Sequence, residues 1–511
     1  MIGRPMTSHL PILPILLPFV AGLVLLALSQ QPVRLRRVFS LVAVLAQIGL
    51  AWMLLLAVAD GSLLVYRLGD WAAPWGIVLV ADRLAALMLL ITTLVAAFAL
   101  WHATDGLDQR GRYFHVLFQL QLFGLAGAFL TGDLFNLFVF FEILLLASYG
   151  LLLHGGGAVR VRSGLHYVVL NLLGSSVFLF AAGLIYAGLG SLNMADIAHK
   201  AASLSPDNLG LARAGGLLLL AVFALKAALL PLHLWLPAAY SSTAAPVAAL
   251  FAIMTKVGAY SILRSHTLMF GESSGDLANL FTPWLLPLAL ATLLLGSLGA
   301  LAARRLGRLA AYLVIGSVGA LLTAFSLGEQ GIAAGLYYLP HSTFAAAALF
   351  LLAEAIGRRR PFSGDLLQVD ADMPRIALWG GLFFFTAVLI GGLPPLSGFI
   401  GKLLILRAAM DHPGLIWVWS LILISALIGI IALARAGSRL FFQTSIQEGV
   451  TPAVRAPVRH ELIAILGLLG LTLLLTLLAG PALDFTQATA TQLLDTQAYV
   501  QAILGTGEVR R

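Results

Sequence analysis

The 511-residue sequence predicts an all-α integral membrane protein with about fourteen transmembrane helices, and three observations lead there. Hydrophobic residues make up 60% of the chain, charged ones only 10%, and the mean hydropathy is +0.98. A water-soluble chain could not cover so much apolar surface with so few charges. Apolar stretches of about 20 residues recur from end to end, each long enough to cross a hydrocarbon core of ~30 Å. Arginine gathers in alternate connections between those stretches.

In chain order the spans are expected at 10–29, 38–58, 78–101, 114–132, 133–153, 164–189, 212–236, 243–264, 279–302, 309–327, 331–356, 376–409, 415–437 and 460–480. The first, LPILPILLPFVAGLVLLAL, looks like a signal peptide, but it is longer than one and no A-x-A-like cleavage site follows. It is read as a retained helix. With fourteen spans, eighteen of the thirty basic residues fall on one side, among them Arg34, Arg110, Arg160, Arg304, Arg358 and Arg455. The positive-inside rule makes that side cytoplasmic and puts both termini outside. The formal charge of +8 is therefore a topology signal, and nucleic acid is not an expected partner. Cysteine is absent, which excludes disulfides, iron–sulfur clusters and thiolate metal sites. The glycine-rich stretches suit close helix packing and show no Walker or dinucleotide pattern, so no nucleotide site is expected.

The basic residues are sorted by type. Of thirty, twenty-six are arginine and four are lysine; only Lys200 lies in a loop, while Lys226, Lys256 and Lys402 lie inside apolar segments. Arginine stays charged, whereas a lysine taken out of water can give up its proton. An intramembrane ionisable residue is costly and marks function by default. Lys226 precedes Pro231 and Pro237 in LLLLAVFALKAALLPLHLWLP, and Lys402 follows Pro394 and Pro395 in GGLPPLSGFIGKLLIL. Proline breaks a helix and frees carbonyls, and inside a bilayer such breaks persist where they face protein or water. Two broken helices in corresponding halves point to an inverted-repeat transporter.

Glu142 lies nine residues past Asp133 in GDLFNLFVFFEILLLASYGLLL, about 13 Å along a helix, near mid-membrane. Lys226 is its expected partner, within a few ångströms. His233, two turns beyond Lys226, and His341, in YYLPHSTFAAAALFLL, complete the set of titratable candidates. A structural ion pair joining two helices would also account for Glu142 and Lys226. Asp82 and Arg83, adjacent at the start of a span, are read as a local topology signal. Glu354, beside Arg358–Arg360, is read as one half of an interfacial ion pair.

The quoted segments, together with KAALLPLHLWLPAAYSSTAAPVAALFAIMTKVGAYSILR, closely resemble the antiporter-like membrane subunits shared with respiratory complex I. GDLFNLFVFFE and LPPLSGFIGK look most like the D-type subunit of the Mrp or Mnh class of multisubunit Na+/H+ antiporter. The resemblance implies helices 1–3 in residues 1–113, one five-helix repeat in 114–264, and a second, inverted one in 279–440. Helices 7 and 12 would be broken, and 441–511 would hold a loop, helix 14 and a short tail. It assigns proton-relay roles to Glu142, Lys226, Lys256, His341 and Lys402. Lys256 would be a stepping stone from the Glu142–Lys226 pair to His341 and Lys402, with water bridging wider gaps. Many relatives carry a lysine five residues after the histidine; here that position is Ala346. Between Lys256 and Lys402 this leaves His341 as the obvious carrier. The implied activity is exchange of Na+ or another monovalent cation for protons by a secondary transporter subunit, not an enzyme, without cofactors. The implied partners are subunits of the A, B, C, E, F and G types and membrane lipid, in a bacterial cytoplasmic membrane. The alternative is a proton-pumping membrane subunit of a complex I-like NADH:quinone oxidoreductase or membrane hydrogenase. The tail, 481–511, is too short for a helix that clamps several neighbouring subunits.

Overall fold

Within hydrocarbon no water pairs with backbone N–H and C=O groups, so an apolar chain of span length closes its hydrogen bonds within itself as helix. The computed structural model describes residues 9–360, 362–371, 373–443 and 459–505. Arg455 and most of the loop expected from 441 lie outside the described residues. Each of the fourteen expected stretches falls on helix: α1 Leu13–Ala27, α2 Val33–Ala57, α3 Arg83–Ala103, α4 Phe114–Leu130, α5 Leu134–Leu153, α6 Ala158–Leu189 and α7 Pro206–Ala227. The order continues with α8 Ala245–Met269, α9 Thr282–Ala302, α10 Leu306–Phe325, α11 Gly328–Gly357, α12 Ile376–Gly391, α13 Leu415–Gly437 and α14 Arg459–Leu477. Twelve helical segments among the described residues are long and apolar enough to cross a membrane; α4 and α12, at 17 and 16 residues, are shorter.

Both expected breaks are present. After Ala227 the chain leaves the helix through Ala228, in the left-handed region at φ 58°, and resumes as Trp235–Ser242. After Gly391 it turns through Gly392 and resumes as Ser397–Ala408. α8 and α11 are buried almost throughout, whereas α1, α2, α13 and α14 leave much of their surface outward. Lys256 lies on α8 and His341 on α11.

Three features differ from the expectation. The third span begins at Arg83, because Val78–Ala81 is a strand paired antiparallel with Leu64–Arg67. Asp82 sets the boundary: its backbone is extended and its carboxylate accepts from Ala85 N at 2.8 Å, capping α3. An apolar run alone cannot place that junction, since strand and helix are equally apolar there. A short helix, Met194–Ala201, follows α6. The tail forms two helices, α15 Ala479–Leu494 and α16 Thr496–Leu504, folded back on this chain. Gln487 and Thr491 of α15 donate to Glu329 at the start of α11, and Gln492 donates to Gly61 O at 2.8 Å.

Candidate functional site

The α7 break exposes backbone carbonyl and N–H groups that side chains take up. The Trp235 indole donates to Leu225 O at 3.1 Å, and Leu230 N donates to Thr292 Oγ1 of α9 at 2.9 Å. Lys226, in the last turn of α7, is thereby fixed at the edge of the break and buried. Its Nζ donates to Asn171 Oδ1 of α6 at 3.2 Å. The Asn171 Nδ2 donates to Tyr167 O at 2.9 Å, which turns the amide oxygen toward the ammonium. One turn further along α6, Ser175 donates to Glu142 Oε1.

Glu142 and Lys226 therefore do not form the expected direct ion pair among the described residues. α6 stands between them and offers each a polar side chain, four residues apart on one face. The sequence marks Asn171 and Ser175 only by their i, i+4 spacing within an apolar span. Glu142 is partly exposed and shares an outward stripe of α5 with Phe135, Val139 and Leu146.

Lys256 is fully buried on α8, and its Nζ donates to Ser317 Oγ of α10 at 3.1 Å. Close packing holds it there: a Cβ on Gly258 would stand 2.4 Å from Ala227 N, so α8 lies directly against the α7 break. His341, buried on α11, shares a hydrogen bond with Ser397 Oγ at 3.0 Å through Nδ1. Ser397 opens the second half of the broken α12, and Gly398 lies under the imidazole, where a Cβ would meet Cε1 at 2.7 Å. Lys402 curls back over the α12 break, donating to Ile390 O at 3.1 Å and Gly391 O at 2.8 Å. Gly392, at φ 76°, makes room, since a Cβ there would stand 2.7 Å from Lys402 Cδ.

His233 lies in the α7 break, buried, and its Nδ1 has no hydrogen-bond partner among the described residues. No hydrogen bond or ion pair joins it to Lys226 or Glu142 among those residues.

Asp82 does more than mark topology. It forms a buried ion pair with Arg264 at the end of α8, at 2.6 Å, and the Arg264 guanidinium also faces the Tyr260 and Tyr499 rings. At the opposite ends of the helices, Glu354 pairs with Arg358 at 2.8 Å as expected, and buried Glu461 joins Arg358 and Arg359 at 2.9 and 2.5 Å. In the loop after α3, Asp108 accepts from Arg37 at 2.6 and 2.8 Å and lies 3.2 Å from His115. Burial raises that carboxylate, but the bonds from Arg37 and His115 outweigh it and hold it down at about 2. Among the described residues no cluster of histidine and carboxylate side chains could hold a metal ion.

The family described as NADH:quinone oxidoreductase/Mrp antiporter, TM, matches residues 131–429, a segment that holds Glu142, Lys226, Lys256, His341 and Lys402. The chain belongs to this family. Within it the chain is similar to a probable K(+)/H(+) antiporter D-type subunit of Rhizobium meliloti, 42% identical over 97% of this chain and 98% of that one. It is also similar to the Na(+)/H(+) antiporter D-type subunit of Alkalihalophilus pseudofirmus, 35% identical over 97% and 99%. A chain of the Mrp complex from Dietzia sp. DQ12-45-1b superposes with a TM-score of 0.87, at 28% identity, covering 98% of this chain and 100% of that one. A chain of the membrane-bound sulfane sulfur reductase, an archaeal respiratory membrane complex, also reaches 0.87, at 26% identity over 97% and 100%. These likenesses place the chain with the D-type subunits of Mrp antiporters.

Proposed function

We propose that this chain is the proton-translocating subunit of a multisubunit antiporter that exchanges a monovalent cation for protons across a bacterial cytoplasmic membrane. One observation carries the reading. Lys226, Lys256 and His341 are buried and Lys402 is half-buried, and each is seated on an amide, hydroxyl or carbonyl group of the protein interior. A structural ion pair would need its partner in direct contact, and Glu142 and Lys226 each turn to α6 instead.

In this reading Glu142 and Lys226 form the first station, Lys256 the junction, and His341 with Lys402 the last. Ionised Glu142 favours protonated Lys226; when that coupling weakens, the lysine passes its proton on toward Lys256. Residues 114–264 and 279–440 act as inverted halves, each with its broken helix, with 1–113 and 441–511 flanking them. His233 is a side member of the first station. The arginine-rich loops face the cytoplasm and the termini face outward. The protein is a secondary transporter component and performs no covalent chemistry.

The outward position of Glu142 supports a neighbouring subunit. A carboxylate facing lipid at mid-membrane costs several kcal/mol, so that stripe of α5 is best covered by another chain of the complex. The test uses vesicles holding the whole complex, with and without this subunit, and follows a preset pH gradient as Na+ or K+ is added. Cation-dependent collapse without any electron donor, lost with the subunit, supports the antiporter. The likeness to a respiratory complex favours a second reading, a redox-driven pump, in which protons move only when an electron donor is supplied.

A further inference from the structure

A cavity of about 60 Å³ opens between α9, α10, α11, α13 and both halves of the broken α12. Its wall brings together Ser317, which accepts from Lys256, and Lys402 with the two carbonyls that hold it. A water needs ~10–15 Å³ of such space and two to four polar partners, so the volume and lining suit a short chain of waters. Ser425 of α13 is also in the wall. It is only 4% exposed, yet its Oγ has no hydrogen-bond partner among the described residues. The other two serines of the wall, Ser317 and Ser297, bond back to Val314 O and Leu294 O of their own helices. A buried hydroxyl without a partner is costly, and the cavity is where its partner can be. Lys402 is arranged for the same chamber: an ammonium has three N–H donors, and the carbonyls of Ile390 and Gly391 take two. His341 is not in the wall.

We infer that this chamber is a second route from Lys256 to Lys402, parallel to His341, with Ser425 as the residue that positions its water. The inference rests on the relay reading above and supplies a route where the chain has Ala346. Protonated Lys256 gives a proton to Ser317 Oγ while the Ser317 O–H, rotated away from Val314 O, gives its own proton to a chamber water. That water, held by Ser425, releases a proton to neutral Lys402. Each oxygen gains one proton and loses one, so the net change is one proton moved from Lys256 to Lys402.

Threonine and valine at position 425 have the same shape and differ in the hydroxyl, which separates positioning from packing. Proton flux is read in vesicles holding the assembled complex, in the native and His341→Ala backgrounds. Ser425→Thr is expected to keep the flux of its background. Ser425→Val is expected to lower it about fivefold in the native background, the factor attached to one ordinary hydrogen bond. In His341→Ala, which should keep part of the native flux, Ser425→Val is expected to remove the remainder. Equal flux in the Thr and Val variants, or complete loss in His341→Ala alone, overturns the second route. Lys256→Ala distinguishes the two failures: if it abolishes flux the relay stands without the chamber, and if it leaves flux intact the relay itself fails.

Discussion

Replacing Asn171 by leucine keeps the side-chain size nearly constant and removes the amide that seats Lys226. In the native arrangement the Asn171 Nδ2 is committed to Tyr167 O at 2.9 Å, and the Oδ1 accepts from Lys226 Nζ at 3.2 Å. A hydrogen bond to a charged group contributes ~1.5–3 kcal/mol, and every ~1.4 kcal/mol is a factor of ten. Loss of the protonated state at this station should therefore slow proton transfer about tenfold to a hundredfold. The assay is cation-driven collapse of a pH gradient in vesicles, normalised to assembled complex on a native gel. Ser175→Ala provides a milder companion, since it strips the matching bond from Glu142. Flux within twofold of native in Asn171→Leu, at normal assembly, would refute the idea that α6 couples the two charges.

Three further outcomes are expected. Gly398→Ala places a Cβ 2.2 Å from Leu389 O and 2.7 Å from His341 Cε1, so the ring must leave Ser397; overpacking of this kind costs ~1–3 kcal/mol, read as reduced flux and a lower Tm of the purified complex. Lys402→Glu should keep partial exchange with a shifted pH optimum and Lys402→Ala none, because a carboxylate can still take up and release a proton; equal loss in both would point to geometry at the break. Asp108→Asn should lower stability at neutral pH. With its folded-state pKa depressed to about 2, Asp108 contributes stability that is full above the ordinary carboxylate range and is lost as pH falls through about 2. Thermal melts of native and variant complex should therefore converge toward low pH, and a gap that persists there would contradict the assignment.

The spans were readable because apolar length is nearly sufficient in a membrane, and the breaks because Pro231 and Pro395 announce them. The lysines stood out because the loops use arginine. What each buried group meets was not readable, since that depends on how neighbouring helices are rotated. Asn171, Ser175, Ser317 and Ser397 are uncharged and draw no attention in an apolar helix, yet they seat the titratable groups, and Asn171 and Ser175 take the bonds expected from a direct Glu142–Lys226 pair. Asp82 and Arg83 read as a local topology signal, whereas Asp82 forms a buried ion pair with Arg264, far along the chain. The strand before α3 was hidden because Val78–Ala81 continues the apolar run without a change in composition. The chamber beside Lys402 is walled by residues of five helices and has no signature in any one of them.

Lys256 joins the two halves of the proposed path: its helix lies against the α7 break at Gly258, and its Nζ donates to Ser317 of α10. The most direct measurement is therefore simultaneous proton and cation flux in vesicles holding the assembled complex with Lys256→Ala. Loss of both fluxes, with assembly and the cation-independent proton leak unchanged, is the expected result. Native exchange in that variant would mean that protons do not cross this chain along its midplane.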